Sequence, residues 1–149
     1  MPHPLTQDPR VARIAQAYTA LSRDNLAVLM ACYASDARFV DPFNDVQGHA
    51  AIEAIFRHMF EVLHAPRFTI TAIVTEGDQA FLIWDFHFQR QAGGAPWHIH
   101  GTTHLVLDEQ GHVRLHRDYW DAANELYAKW PLLGGLMRWL ARQLRTPQR

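Results

Sequence analysis

The sequence predicts an α+β domain in which three N-terminal helices pack on one side of a strongly curved, mostly antiparallel sheet, with an extra helix at the C-terminal end. Three observations predict it. Apolar residues recur at helical spacing as far as Leu63, and from Arg67 the period switches to that of strands. Turns at Gly77-Asp78, Gly93-Gly94 and Gly111 then divide the second half into a meander.

Residues 1–8 are expected to form a lead without order. Asp8 followed by Pro9 reads as an N-cap with proline in the first turn. Val11, Ile14, Ala15, Tyr18 and Leu21 form the first stripe, and Leu26, Leu29, Met30 and Tyr33 the second. Ala37 to Val40 reads as a short strand that Asp41-Pro42 must bend or stop, because proline lacks a backbone donor and holds its predecessor extended. Gly48 opens a third helix with Ile52, Ile55, Phe56, Met59, Phe60 and Leu63 on one face. The strands follow at 68–75, 80–90, 97–107 and 113–120. A last helical stretch starts near Ala122, breaks at Pro131 and resumes at Leu132. The domain is thus expected over 9–121 and a helical extension over 122–149.

A net charge of −1 excludes the strong basic bias of a nucleic-acid-binding surface. Cys32 is the single cysteine, so neither an internal disulfide nor a multi-cysteine metal site is available. Its apolar neighbourhood predicts a buried, inert thiol. The opening MPHPLTQDPR lacks the apolar core of a signal peptide, and no run reaches the ~20 apolar residues of a membrane span, so a cytoplasmic location is expected.

Strand alternation locates the candidate chemistry. Trp97, Ile99, Gly101, Thr103 and Leu105 share one face of their strand, and His98, His100, Thr102 and His104 the other. If Leu107 pairs with His112 across the DEQG turn, then His116, Asp118 and Trp120 point the same way as Thr103. His116 and Asp118 would then form a carboxylate–imidazole pair inside the hollow. Two placements of Asp85 stay open. Alternation with Leu82, Trp84, Phe86 and Phe88 sends it to solvent. Pairing across Gly93-Gly94 sends it into the hollow and leaves those four apolar residues to be covered by a second subunit. That second arrangement predicts a homodimer through the sheet. The HIHGTTH run has metal-like spacing, but His104 lies about 13 Å from His100 along an ideal strand. No metal and no cofactor is therefore expected, and these histidines read as surface or subunit-interface residues. The segment WPLLGGLMRWLARQLR alternates apolar residues with arginines, a pattern that suits covering the open end of the fold, extending a dimer contact or peripheral membrane contact.

The run YTALSRDNLAVLMACYASDARFVDPF, with the glycine-led GHAAIEAIF after it, resembles the opening of ketosteroid isomerases. THLVLDEQGHVRLHRDYWD resembles the end of the same fold and also limonene-epoxide hydrolases. Together they point to the nuclear transport factor two-like superfamily, which includes SnoaL-like polyketide cyclases. The resemblance implies a cone-shaped fold whose hollow holds a small, largely apolar molecule. It places Asp41 where ketosteroid isomerases keep their proton-shuttling carboxylate, and Tyr18 at their oxyanion-hole tyrosine. Thr103 stands where those enzymes complete the hole with a carboxylic acid. On the hydrolase pattern Asp118 and Asp85 match the two aspartates, Ile83 replaces the arginine between them, and Asp41 replaces the water-holding asparagine.

The functional expectation is proton transfer on an apolar, ring-containing carbonyl substrate by an isomerase or cyclase. Asp41 would be the base, Tyr18 the oxyanion donor, Asp118 and His116 a second acid–base pair, and Phe39, Phe56 and Trp120 apolar walls. The alternatives are a non-catalytic ligand-binding or protein-interaction domain and an epoxide hydrolase-like enzyme.

Overall fold

Asp8 and Pro9 start the first helix as their chemistry demands. The computed structural model describes residues 4–126, 129 and 131–144, the side chains at 131–133 and 137 excepted. Helix α1 covers Pro9–Thr19, with the Asp8 carboxylate accepting from the Arg10 amide at 3.0 Å. Residues 4 and 5 form a turn and Thr6 makes a single bridge pairing, so the lead carries local structure from Pro4 on. Helix α2 is short, Leu26–Met30, and α3 spans His49–Val62. Val11, Ile14, Leu29, Ile52 and Phe56 from the three helices are buried together with the sheet's inner face.

Tyr33 leaves the second helix, where its spacing had put it, and instead starts strand β1, Tyr33–Val40. The strand thus begins four residues before Ala37. Strand β2, Asp45–Gln47, was not foreseen; it folds back antiparallel on β1 after the Asp41-Pro42 bend, pairing Phe39 with Val46. Gly48 then enters α3 at φ +92°, ψ 157°, a backbone region essentially reserved for glycine. A Cβ there would meet only the Ser35 carbonyl at 3.8 Å, so Gly48→Ala tests backbone strain without a clash. It is expected to lower stability by about 2 kcal/mol in a urea titration.

Strands β3 (His64–Glu76), β4 (Gln79–Gln89), β5 (Pro96–Leu107) and β6 (Val113–Trp120) complete a six-stranded open sheet of order β2-β1-β6-β5-β4-β3. β1 runs parallel to β6, whereas β1–β2, β3–β4 and β4–β5 are antiparallel. Register shifts in β3 between His64 and Arg67 and between Ile70 and Ala72 bend the strand and add curvature. Leu82, Trp84, Phe86 and Phe88 of β4 are all buried. Their face is therefore the inside of the sheet, and the arrangement that reserved it for a second subunit is corrected. Cys32 is buried, and burial raises its thiol pKa.

The chain falls into two compact units, Met1–Tyr119 and Trp120–Arg149. In the second, the Asp121 carboxylate caps the short helix α4, Ala122–Glu125, by accepting from the Asn124 amide at 3.1 Å. Helix α5 spans Pro131–Leu144. Pro131 opens this helix instead of only breaking the previous one, in keeping with a residue that lacks the N–H a first turn leaves unused. No helix among the described residues is long and apolar enough to cross a membrane.

Candidate active site

Two polar side chains lie in the otherwise apolar described core, Thr103 on β5 and His116 on β6, the latter only 1% exposed. Buried polar groups demand partners, and following those partners traces the site. His116 and Asp118 are two apart on β6 and so share its inner face, where His116 Nε2 lies 2.7 Å from Asp118 Oδ1. The Thr103 hydroxyl donates to the same oxygen at 2.6 Å, and Trp84 Nε1 of β4 donates to Thr103 Oγ1 at 2.8 Å. The indole can only donate, so Thr103 must accept from it and give its own proton to the carboxylate.

At the other end of the imidazole, His116 Nδ1 lies 2.9 Å from the Tyr18 hydroxyl and 2.8 Å from that of Tyr33. The two phenols also bond each other. An ionised carboxylate only accepts, which assigns the Nε2 proton to the bond with Asp118 and makes Nδ1 the acceptor for a phenol. Tyr18 comes from the last turn of α1 and Tyr33 from the first residue of β1, so helix, parallel strand pair and meander all converge on one ring. Burial pushes both phenol pKa values well above the ordinary one. For Tyr18 the proximity of Tyr33 and then of Asp118 adds to that effect; for Tyr33 Asp118 adds to it while the bond from Tyr18 opposes it. Both tyrosines therefore remain protonated, one proton serving the bond between the phenols and the other the bond to His116 Nδ1.

Beside this chain lies a cavity of about 20 Å³, enough for roughly one water. Tyr18, Phe56, Phe68, Ile70, Leu82, Trp84, Thr103, His116 and Asp118 line it. The rings support one another: Phe68 meets Trp84 edge-on at 5.6 Å and stacks on Phe86 at 4.4 Å, while Phe56 meets Tyr18 edge-on at 6.0 Å. Among the described residues the hydrogen bonds to Asp118 fall on Oδ1 and no donor is bonded to Oδ2. The arrangement thus offers a carboxylate oxygen and one neutral phenol, Tyr18, around one small apolar space.

The structure gathers Tyr18, His116, Asp118, Thr103 and Phe56 as the sequence suggested, but not the others. Asp41 is corrected. Its Oδ1 accepts from the amides of Phe43 and Asn44, each at 2.7 Å, and its carboxylate serves the turn that Pro42 imposes, away from the cavity lining. Of its two placements, Asp85 takes the outward one. It pairs across the sheet with His100, and its Oδ1 is held by His98 Nε2 at 2.7 Å and His100 Nδ1 at 2.8 Å on the outer face. Ile83, where the hydrolase resemblance lacks its arginine, shares that outer parity. Phe39 does not line the cavity; it stacks on the far face of His116, with ring centres 4.3 Å apart. Trp120 ends β6 and belongs to the second unit, outside the lining.

Tyr33, Trp84, Phe68, Ile70 and Leu82 were not anticipated as site residues. The parity of Leu82 and Trp84 with Phe86 could have identified them once the inner face was settled. Tyr33 carried no such signal, because it fitted a helical stripe equally well.

The outer cluster has its own pH signature. The bond from His100, and then that from His98, hold the Asp85 carboxyl below its usual value. A depressed carboxyl stabilises the fold above its unfolded value, about 3.9, and loses that contribution as pH falls through the lower folded value. Asp85→Asn is therefore expected to flatten the acid limb of a stability–pH curve below about pH 4. Because the side chain is partly exposed, the effect is small.

Residues 14–116 match the model of the SnoaL-like domain. The chain belongs to the SnoaL-like domain family. No curated protein matches it, but solved structures do. One from Catenulispora acidiphila, with a ketosteroid isomerase-like fold and in complex with trimethylamine, aligns at TM-score 0.69 and 20% identity, covering 81% of this chain and 92% of its own. A structure from a Jannaschia species assigned as a SnoaL-like polyketide cyclase aligns at TM-score 0.69 and 16% identity, over 80% and 92%. TerC, co-crystallised with polyporic acid, aligns at TM-score 0.66 and 14% identity, over 77% and 91%. At these identities the shared property is the SnoaL-like fold. Tyr18, Tyr33, Thr103 and His116 all fall within the matched segment, and Asp118 lies two residues beyond it.

Proposed function

We propose that this SnoaL-like protein binds a small, largely apolar carbonyl compound in the cavity and moves a proton on it. The observation that carries this reading is the unbroken chain from Trp84 through Thr103, Asp118 and His116 to Tyr18 and Tyr33 beside an apolar space. Asp118 Oδ2 takes the proton from the carbon next to the carbonyl. The electron pair of that C–H bond becomes the enolate double bond, and the carbonyl oxygen gains the charge. Tyr18, which lines the cavity, turns its proton from Tyr33 to that oxygen and meets it as a neutral donor, the role in which positioned hydrogen bonds contribute most, while Tyr33 keeps its bond to His116. Asp118 then returns the proton to carbon, at the same or a neighbouring position. His116 fixes the carboxylate and the phenols in register with each other.

The cavity holds about one water, so a ring-bearing carbonyl enters only as Phe56 and Phe68 turn aside. Relatives of the same fold support a ring-bearing, oxygen-rich ligand, namely the protein assigned as a polyketide cyclase and TerC with polyporic acid. The test is exchange of the acidic α-protons of 2-tetralone in D2O, followed by NMR. Exchange above the buffer rate that Tyr18→Phe slows agrees with the reading; exchange at the buffer rate at any protein concentration contradicts it.

A second reading, binding without turnover, is favoured by the four rings of Tyr18, Phe56, Phe68 and Trp84 around one carboxylate. Aromatic faces with a counter-charge suit an alkylammonium ion, and the Catenulispora relative was solved with trimethylamine. Calorimetric titration with trimethylamine separates the readings. Binding abolished by Asp118→Asn, with no tetralone exchange, selects the amine.

A further inference from the structure

We infer that helix α5 is an interfacial anchor that lays this protein on an anionic lipid surface. Residues 126–149 contain five basic side chains and no acidic one, whereas residues 1–125 contain nine basic and fifteen acidic. The near-neutral total thus hides two parts of opposite charge, a division that suits an acidic domain carrying a basic membrane-facing segment.

Within α5 the exposed leucines and the tryptophan share one face, interrupted by the exposed Gln143. Leu136, Leu140 and Leu144 follow one another at four-residue steps, and Trp139 lies beside them at three. All four are exposed, Leu136 and Trp139 at 50% and Leu144 at 82%. Arg138 and Arg142, also exposed and four apart, fall on the opposite side. An apolar stripe that includes a tryptophan, backed by arginines without any acid, matches a helix lying in the headgroup plane. Its 14 residues reach about 21 Å, short of the ~30 Å hydrocarbon core. It can lie on a membrane but not cross one. The basic face of α5 complements anionic lipid, whereas two copies of α5 packed stripe to stripe would leave the arginines without a counter-charge from each other.

Flotation of the full chain with phosphatidylcholine vesicles, with and without phosphatidylglycerol, tests this. The protein is expected to float with the anionic vesicles, weakly or not at all with phosphatidylcholine alone, and less as salt is raised. Arg138→Gln with Arg142→Gln should weaken binding on the order of tenfold. Leu136→Ser with Leu140→Ser should weaken it at least as much. The melting temperatures of both double variants separate lost binding from lost fold. Failure of the wild type to float with phosphatidylglycerol, or flotation of the variants equal to it, overturns the proposal. So does a wild-type dimer that Leu136→Ser with Leu140→Ser splits in analytical ultracentrifugation while vesicle binding is absent, because the stripe then belongs to self-association.

Discussion

Asp118→Asn is expected to slow α-proton exchange of 2-tetralone by about a thousandfold, within the 10²–10⁴ range of a positioned general base. Asparagine keeps the shape, and its carbonyl oxygen can still accept from Thr103 and from His116 Nε2. The network therefore survives while the group that takes the proton does not. The melting temperature should change little, which separates lost chemistry from lost fold. Asp41→Asn makes the matching control. Its carboxylate serves a turn, and the amide oxygen of asparagine accepts from the Phe43 and Asn44 amides in the same way. Exchange in Asp41→Asn should equal that of the wild type. A thousandfold loss there and none in Asp118→Asn would return the base to the position that resemblance to ketosteroid isomerases first suggested.

The second large effect concerns stability. His116→Phe keeps the ring and its stack on Phe39, but removes both nitrogens from a fully buried site. Asp118 loses one of its two donors, and the buried phenols of Tyr18 and Tyr33 are left with one acceptor fewer between them. An unmet buried polar group costs about 1–3 kcal/mol, more where charge is involved. The expected loss is about 3 kcal/mol, a fall in Tm on the order of 10 °C. Differential scanning calorimetry measures it. A loss below about 1 kcal/mol would mean that the hydrogen bonds around the imidazole are not made together.

The fold could be read from the chain because its local signals agree with each other. Asp8-Pro9, the stripes of α1 and α3, and the strand period after Arg67 all state one architecture, and glycine-bearing turns separate the strands. Three residues mark where this ended. Tyr33 satisfies the i, i+4 spacing of Leu29, yet the chain turns at Ala31–Cys32 and makes it the first residue of a strand. Periodicity cannot distinguish the last residue of one element from the first of the next. Asp41 matched a family position, but the Asp-Pro turn took both its backbone and its carboxylate. Asp85 depended on register: alternation alone sent it outward, correctly, and pairing across Gly93-Gly94 sent it inward. The observed pairing of Gln89 with Pro96 leaves a six-residue connection and puts Asp85 opposite His100. The Asp118–His116–Thr103 grouping was legible because it needed only the two-residue repeat and one tight turn. Its extension to Tyr33 and Trp84 was not, because those contacts join elements far apart in sequence.

If phenols, imidazole and carboxylate form one connected chain that touches the ligand, their own shared protons report it. The most direct test is proton NMR in water of protein with nitrogen-labelled histidine, before and after addition of 2-naphthol as an oxyanion analogue. Strongly downfield proton signals are expected from the Tyr18–Tyr33–His116–Asp118 contacts. They should shift when naphthol binds and be missing in His116→Phe. Signals that ignore naphthol while it binds elsewhere, or no downfield signal at all, would contradict it.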